Sequence, residues 1–259
     1  MPDRIKILIV DDEPPVCTSI ASALAGGGYH IDTVNSGAEA LKRDGENRYD
    51  VIVADLMMPG ISGIDLLKAV KKKRPEAMVI MVTGYPSIKT AVQSVKLGAF
   101  DYIPKPFAPD EIRALVARAL VRKKLFEEEH VGADSVHEVP IPDGTYAIAD
   151  NSWARLEEDG HVRVGIHHIF LRILGSIESI EFPAIGEQVY QGEACVRIVD
   201  EKGRSHRLWA PVTGRVATVN NEISEDLSVL FDNPYLDGWM LLFAPSYLDK
   251  DLENLQRIG

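Results

Sequence analysis

Val51-Ile52-Val53-Ala54-Asp55-Leu56-Met57-Met58-Pro59-Gly60 is a short apolar run that ends on a carboxylate and a turn. The same design recurs along the first half of the chain. Ile7-Leu8-Ile9-Val10 ends in Asp11-Asp12-Glu13, Val79-Ile80-Met81-Val82 ends in Thr83-Gly84, and Phe100-Asp101-Tyr102-Ile103 leads into Lys105-Pro106-Phe107. A run of four or five residues that is apolar on both faces reads as a buried parallel strand. In open α/β sheets the functional groups gather in the crevice outside the carboxyl ends of such strands. Asp11, Asp12, Asp55, Thr83 and Lys105 are therefore expected to converge on one site.

Crowded carboxylates repel one another, and a divalent cation with oxygen ligands relieves that repulsion. Mg²⁺ is commonly held by one or two carboxylates with waters and phosphate oxygens. A carboxylate in such a site can attack a phosphoryl group whose charge the cation and a lysine neutralise. Thr83 can hydrogen-bond a phosphoryl oxygen and Lys105 can pair with it, so Asp55 is expected to accept a phosphoryl group. Taken singly, each residue has an ordinary reading. Asp11 and Asp12 suit a helix amino terminus ahead of Pro14, Lys105 a loop and Thr83 a cap. Their joint occurrence, in order and at strand ends, points to the site.

The strand–DDE start, D-L-M-M-P-G-x-S-G around Asp55, V-T-G-Y at Thr83 and G-A-x-D-Y-I-P-K-P-F at the end resemble a response-regulator receiver domain over roughly residues 3–125. The wording around Gly84–Phe107 is similar to receivers of the nitrogen-regulator type. The resemblance implies that Asp55 is the phosphoacceptor and that Asp11 and Asp12 form the acidic pair. It also implies that Asp12 and Asp55 bind Mg²⁺ with the Met57 backbone carbonyl, that Thr83 and Tyr102 form a switch pair, and that Lys105 senses the phosphoryl group. The Lys105–Pro106 bond is expected to be cis. Met57 and Tyr85 are expected to flank the acceptor.

The chain has 259 residues, enough for two domains, with 46% hydrophobic and 26% charged residues. Its net charge of −11, from 28 basic and 39 acidic residues, argues against bulk nucleic-acid binding, which needs Lys and Arg to neutralise phosphate. Cys17 and Cys195 are far apart with no CxxC pair, so each reads as a small buried apolar residue. No signal peptide is read at Met1-Pro2-Asp3-Arg4, and no apolar run approaches the about 20 residues that span a bilayer. A cytoplasmic protein without membrane insertion is expected.

Strands and helices alternate to about residue 125, with Ser36 a helix cap and Pro109-Asp110-Glu111 opening a last helix that extends to about Glu129. Residues 126–144 read as a helical extension and linker, with Val139-Pro140-Ile141-Pro142-Asp143-Gly144 as the domain entry. Beyond it, short Val/Ile-rich runs alternate with Gly, Asp and Asn turns, an all-β pattern. A helix is expected over Ser246–Ile258. No P-loop or helix-turn-helix is read. Adjacent His167 and His168 on a strand would point to opposite faces and could not chelate together. His161 and His206 have no acid or cysteine at ligand spacing.

Ser152-Trp153-Ala154-Arg155, Val162–Ile166, Leu174–Ile177, Phe182–Gly186, Ala210–Val216, Val219-Asn220, Asn233-Pro234-Tyr235 and Gly238-Trp239-Met240 resemble, in order, the glycine-cleavage H protein, a lipoyl-carrying hybrid β-barrel. In that family the lipoyl lysine sits at a hairpin tip. Counting forward from Gly192 places it at Lys202, and counting back from Pro211 places it at Gly203, so one residue has been inserted. Two readings stay open. In one, Glu201-Lys202-Gly203 is a charged β-turn on a protein-binding output domain without lipoate. In the other, Lys202 is lipoylated and the chain is a phosphorylation-regulated carrier.

The expected architecture is α/β plus β. A doubly wound five-stranded parallel sheet (1–125) is followed by the linker (126–144), a hybrid β-barrel or sandwich (145–247) and a C-terminal helix (248–259). The expected function is that of a response regulator, phosphorylated on Asp55 with Mg²⁺ by a sensor histidine kinase and signalling to an unknown protein partner. It is not read as an enzyme beyond slow autodephosphorylation. DNA binding is the third-ranked reading, and homodimerisation is left open.

Overall fold

The computed structural model describes residues 4–84, 88–130 and 139–259. The chain divides into two compact units, Met1–Asp134 and Ser135–Gly259.

In the first unit, five parallel strands alternate with five helices: β1 (Lys6–Val10), α1 (Pro14–Leu24), β2 (His30–Val34), α2 (Gly37–Asn47), β3 (Val51–Asp55), α3 (Gly63–Lys73), β4 (Met78–Thr83), α4 (Ile88–Lys96), β5 (Asp101–Pro104) and α5 (Pro109–His130). The strand order is β2-β1-β3-β4-β5. Every residue of β3 and β4 is buried, as expected for a sheet covered on both faces. The order reverses at β1, and the crevice beside β3 is where ligands of such sheets bind. Asp55 is the last residue of β3, Thr83 the last of β4, and Asp11 and Lys105 follow β1 and β5.

Local chemistry sets the helix ends. Proline occupies the first turn of α1, where its missing N–H costs nothing. Ser36 Oγ accepts from Glu39 N at 3.3 Å and Ser62 Oγ from Asp65 N at 3.2 Å. The helix α3 ends on Lys71-Lys72-Lys73, which complement its dipole. Along α5, Arg118 is buried against Asp101 and Lys123 pairs with Asp50 at the foot of β3. Further on, Lys123–Glu127 and Lys124–Glu128 pairs at 3.6 and 3.7 Å support its final turns.

The second unit contains β6 (Thr145–Ile148), β7 (Ser152–Leu156), β8 (Val162–Ile166), α6 (His168–Leu174), β9 (Ser179–Glu181), β10 (Gln188–Val189), β11 (Ala194–Val199), β12 (Ser205–Trp209), β13 (Gly214–Val219), α7 (Glu222–Glu225), α8 (Ser228–Asp232), β14 (Trp239–Pro245), α9 (Leu248–Leu252) and β15 (Gln256–Arg257). A seven-stranded sheet runs β10-β13-β14-β8-β7-β6-β15, and a three-stranded sheet runs β12-β11-β9. One core joins them, with Val164 and Phe243 from the first sheet and Ile198 and Leu208 from the second all fully buried.

The helix expected over Ser246–Ile258 is not formed as such. Helix α9 ends at Leu252, and Gln256 and Arg257 pair antiparallel with Ala147 and Tyr146. Two polar side chains divert the segment. Asp251 accepts Thr213 N at 2.6 Å, and Asn254 donates to Gln191 Oε1 at 2.9 Å. The edge of β6 then supplies backbone partners that a longer helix would have left unpaired.

Trp153 is fully buried and donates from Nε1 to Pro234 O at 3.0 Å. Gly165 lies against its indole, and a Cβ there would come within 2.6 Å of the ring. Gly165→Ala is expected to destabilise this unit by about 1–3 kcal/mol, because a bonded, buried indole has little room to move. All three tryptophans (153, 209 and 239) lie in the second unit, so tryptophan fluorescence during denaturant unfolding reports the loss directly. An unchanged midpoint would contradict it.

Candidate functional site

Lys105 Nζ lies 2.7 Å from Asp55 Oδ1 and 2.7 Å from Asp11 Oδ2, bridging two buried carboxylates. The second oxygen of each is also engaged. Asp55 Oδ2 accepts Met57 N at 2.6 Å, and Asp11 Oδ1 accepts Glu13 N at 3.0 Å. Lys105 keeps 17% of its side chain exposed, and Glu13 Oε1 stands 3.8 Å from Nζ at the rim. Asp12 faces solvent beside this group. Burial pushes the Asp55 carboxyl above the usual range against the pull of Lys105 and Met57 N–H, and Asp11 adds to the rise. Burial disfavours the Lys105 ammonium, but its bonds to Asp11 and Asp55 outweigh that and raise its pKa.

Thr83 is buried at the end of β4, and its carbonyl accepts Lys105 N at 2.7 Å. Tyr102 is buried in β5, opposite Met81 in the ladder. The Lys105–Pro106 peptide is cis. Met57 is exposed beside the acceptor, whereas Tyr85 lies outside the described residues. Two supports are not evident from motif chemistry alone. Asn35 Nδ2 donates to Asp11 O at 2.9 Å, fixing the end of β1. A Cβ on Gly63 would fall 2.1 Å from Asp55 O, so only glycine lets α3 start against the acceptor. The glycine in D-L-M-M-P-G-x-S-G was the available signal for the second; nothing in the sequence marked Asn35.

The oxygen donors here suit Mg²⁺. Among the described residues no three His, Cys, Asp or Glu side chains form a closed metal cage, and Mg²⁺ needs none, since one or two carboxylates with waters suffice. Asp11, Asp12, Asp55 and the Met57 carbonyl are the groups that would hold it.

In the second unit the hairpin of β11 and β12 closes through Asp200–Arg204. Asp200 is buried, with Oδ1 accepting Lys202 N at 3.0 Å and Arg204 N at 2.9 Å, and Oδ2 lying 2.7 Å from the Arg204 guanidinium and 3.1 Å from His206 Nε2. Gly203 takes φ +72°, and Lys202 is exposed. The hairpin thus gives His206 an acid partner that linear spacing did not reveal, and His161 Nδ1 likewise lies 3.0 Å from Asp159. His167 and His168 do not point to opposite faces. They lie where the chain turns from β8 into α6, His167 caps that helix, and the rings stack 4.5 Å apart. His167 Nδ1 accepts Ile169 N and His168 Nδ1 meets Tyr235 Oη at 2.7 Å, so these nitrogens are engaged within the fold.

Residues 7–117 match the response regulator receiver domain family and residues 145–258 match the glycine cleavage H-protein family. The chain therefore joins a response-regulator receiver domain to an H-protein-like domain. The transcriptional regulatory protein ZraR of Escherichia coli O157:H7 is 37% identical over 127 residues, 49% of this chain and 29% of that protein. The DNA-binding transcriptional regulator NtrC of Escherichia coli (strain K12) is 40% identical over 114 residues, 44% of this chain and 24% of that protein. The chain thus spans less than a third of the length of these relatives. A solved response regulator receiver domain protein from Clostridium thermocellum is 36% identical, with a TM-score of 0.45, covering 47% of this chain and 98% of that one. No helix among the described residues is long and apolar enough to cross a membrane.

Lys105→Met leaves Asp11 and Asp55 facing each other without a counter-charge. It is expected to destabilise the receiver by about 2–4 kcal/mol, and millimolar Mg²⁺ is expected to restore part of the loss. Far-UV circular dichroism melts with and without Mg²⁺ measure this, and a loss that Mg²⁺ leaves unchanged would contradict it. For the hairpin, burial would raise the Asp200 carboxyl, but Arg204 and His206 overcome this and hold it at about 2. Against an unfolded value of about 3.9, this contributes about 2 kcal/mol above pH ~4, lost as pH falls towards 2. Asp200→Asn is expected to remove that dependence from the fluorescence-detected stability of the second unit.

Proposed function

We propose that this protein is a two-component response regulator phosphorylated on Asp55 by a sensor histidine kinase, with the H-protein-like domain as its protein-binding output. The reading rests above all on one observation: Asp55 is buried at a strand end with Lys105 on one oxygen and a backbone N–H on the other. These contacts orient the carboxylate. In the transfer, an Asp55 oxygen attacks phosphorus, an acyl–phosphate bond forms, and the phosphorus–nitrogen bond to the kinase histidine breaks. The departing imidazole keeps the bonding electron pair and takes up a proton from water. Mg²⁺, when bound, supplies positive charge to the phosphoryl oxygens.

The product carries more negative charge than Asp55 alone. Lys105 exchanges its bond to the Asp55 carboxylate for a phosphoryl oxygen, and the Thr83 hydroxyl donates to another. Thr83 and Tyr102 then shift together and bias a two-state receiver surface over residues 89–105. For the output, the helices among the described residues of the second unit run from four to seven residues. Helices this short do not serve as the recognition helix of a helix-turn-helix. The likeness to ZraR and NtrC runs through the receiver half, so a protein partner is favoured over DNA for the second half.

Incubation with a small acyl-phosphate donor and Mg²⁺ is expected to add one phosphoryl group to the wild type and none to Asp55→Asn. Equal labelling of both proteins, or of neither, would contradict the assignment.

A further inference from the structure

Residues 135–259 hold 20 of the chain's 39 acidic residues but only 10 of its 28 basic ones, so nearly all of the net charge of −11 belongs to the second unit. A surface dominated by one sign of charge draws partners of the other. Within this unit the carboxylates of the β7–β8 turn stand at the mouth of a cleft of about 290 Å³, lined by Glu157, Glu158, Asp159, Arg163, Trp239 and Leu242. We propose that this cleft seats a basic side chain, above all an arginine, of the protein that the second unit binds. This rests on the protein-binding reading for the bearer of that side chain, and not on phosphorylation of Asp55.

The floor of the cleft is made by an irregularity in β14. Residues three apart on a regular strand face opposite sides of a sheet. Here Trp239 pairs with Gly165, Leu241 with Val164 and Leu242 with Arg163, so two steps of β14 oppose one step of β8. That bulge brings Trp239 and Leu242 to the same cleft, both half-buried, while Met240 and Leu241 between them are fully buried. Arg163 lies with its guanidinium 5.6 Å from the centre of the Trp239 ring and its Nε 3.4 Å from Glu157 Oε1. The indole thus already holds one guanidinium, by the attraction that an incoming one would use.

The mouth is fixed in place and keeps uncompensated negative charge. Glu157 N donates to His161 O at 2.8 Å, and Gly160 N, at φ +86°, donates to Glu157 O at 3.1 Å, which closes the turn. Glu157 takes Arg155 and Arg163 on a single oxygen, Oε1. Asp159 takes the backbone N–H and the ring of His161. Glu157 Oε2 and the Glu158 carboxylate have no bond among the described residues. Three carboxylates therefore line the cleft against one guanidinium. A guanidinium can meet such a carboxylate through two parallel N–H groups and lay its plane on an aromatic ring, which an ammonium cannot. The volume suits one side chain rather than a whole small molecule, for which pockets usually run from about 300 to 1,000 Å³.

The test follows the indole N–H signals of Trp153, Trp209 and Trp239 in ¹H–¹⁵N spectra of the full chain, with Trp239 assigned by the signal lost in Trp239→Phe. N-acetyl-arginine amide is titrated beside its uncharged counterpart, N-acetyl-citrulline amide, at matched ionic strength. The expected result is a saturable shift of the Trp239 signal with the arginine probe and none with the citrulline probe, while Trp153 and Trp209 stay unmoved. Glu158→Gln, a change at an exposed turn, is expected to weaken that binding about twofold or more. A Trp239 signal that the arginine probe leaves in place, or that both probes move alike, would overturn the proposal, as would equal affinity in Glu158→Gln. Because the probe is a lone side chain and needs no partner, a silent cleft overturns the seat alone and leaves the protein-binding reading untouched.

Discussion

The Lys105 ammonium between Asp11 and Asp55 is the interaction on which the rest of the receiver turns. Two carboxylates buried within reach of one cation are tolerable only because that cation, and two backbone N–H groups, satisfy them. Three separated strand ends must therefore meet to within hydrogen-bond distance. The fully buried strands β3 and β4 and the packing of α5 against the sheet serve that convergence. A site built this way is poised for change. Any added negative charge at Asp55 competes for Lys105, and what Lys105 gives up at one carboxylate is felt across the end of the sheet.

The second unit meets a similar problem in a hairpin turn. Asp200 gathers two backbone N–H groups, a guanidinium and an imidazole around one buried carboxylate. Asp200 is as deeply buried as Asp11, and the Arg204 guanidinium, like the Lys105 ammonium, keeps part of its side chain exposed. One charge cluster can be rearranged by a phosphoryl group; the other serves to hold a turn.

Much of this was legible in the sequence because it depended on local pattern. Runs apolar on both faces, each ending in a polar group, read as buried parallel strands, and that reading brings Asp11, Asp55, Thr83 and Lys105 to one end of a sheet. Long-range pairing was harder to see. Asn35 supports Asp11 from 24 residues away, with no periodicity to announce it. His206 met an acid because a hairpin folded it there. The local pattern at His167 and His168 suits a strand and hides a helix cap, and the helical spacing of the last segment hides Asp251 and Asn254, which bond to Thr213 and Gln191.

Chemical location of the phosphoryl group distinguishes Asp55 from its acidic neighbours. The protein would be phosphorylated with Mg²⁺ present and reduced at once with borohydride, which converts an aspartyl phosphate to homoserine, and its peptides would be sequenced by mass spectrometry. Homoserine is expected at position 55, with unaltered aspartate at 11 and 12. Homoserine at either of those positions, or a label that survives as phosphohistidine or phosphoserine, would contradict it.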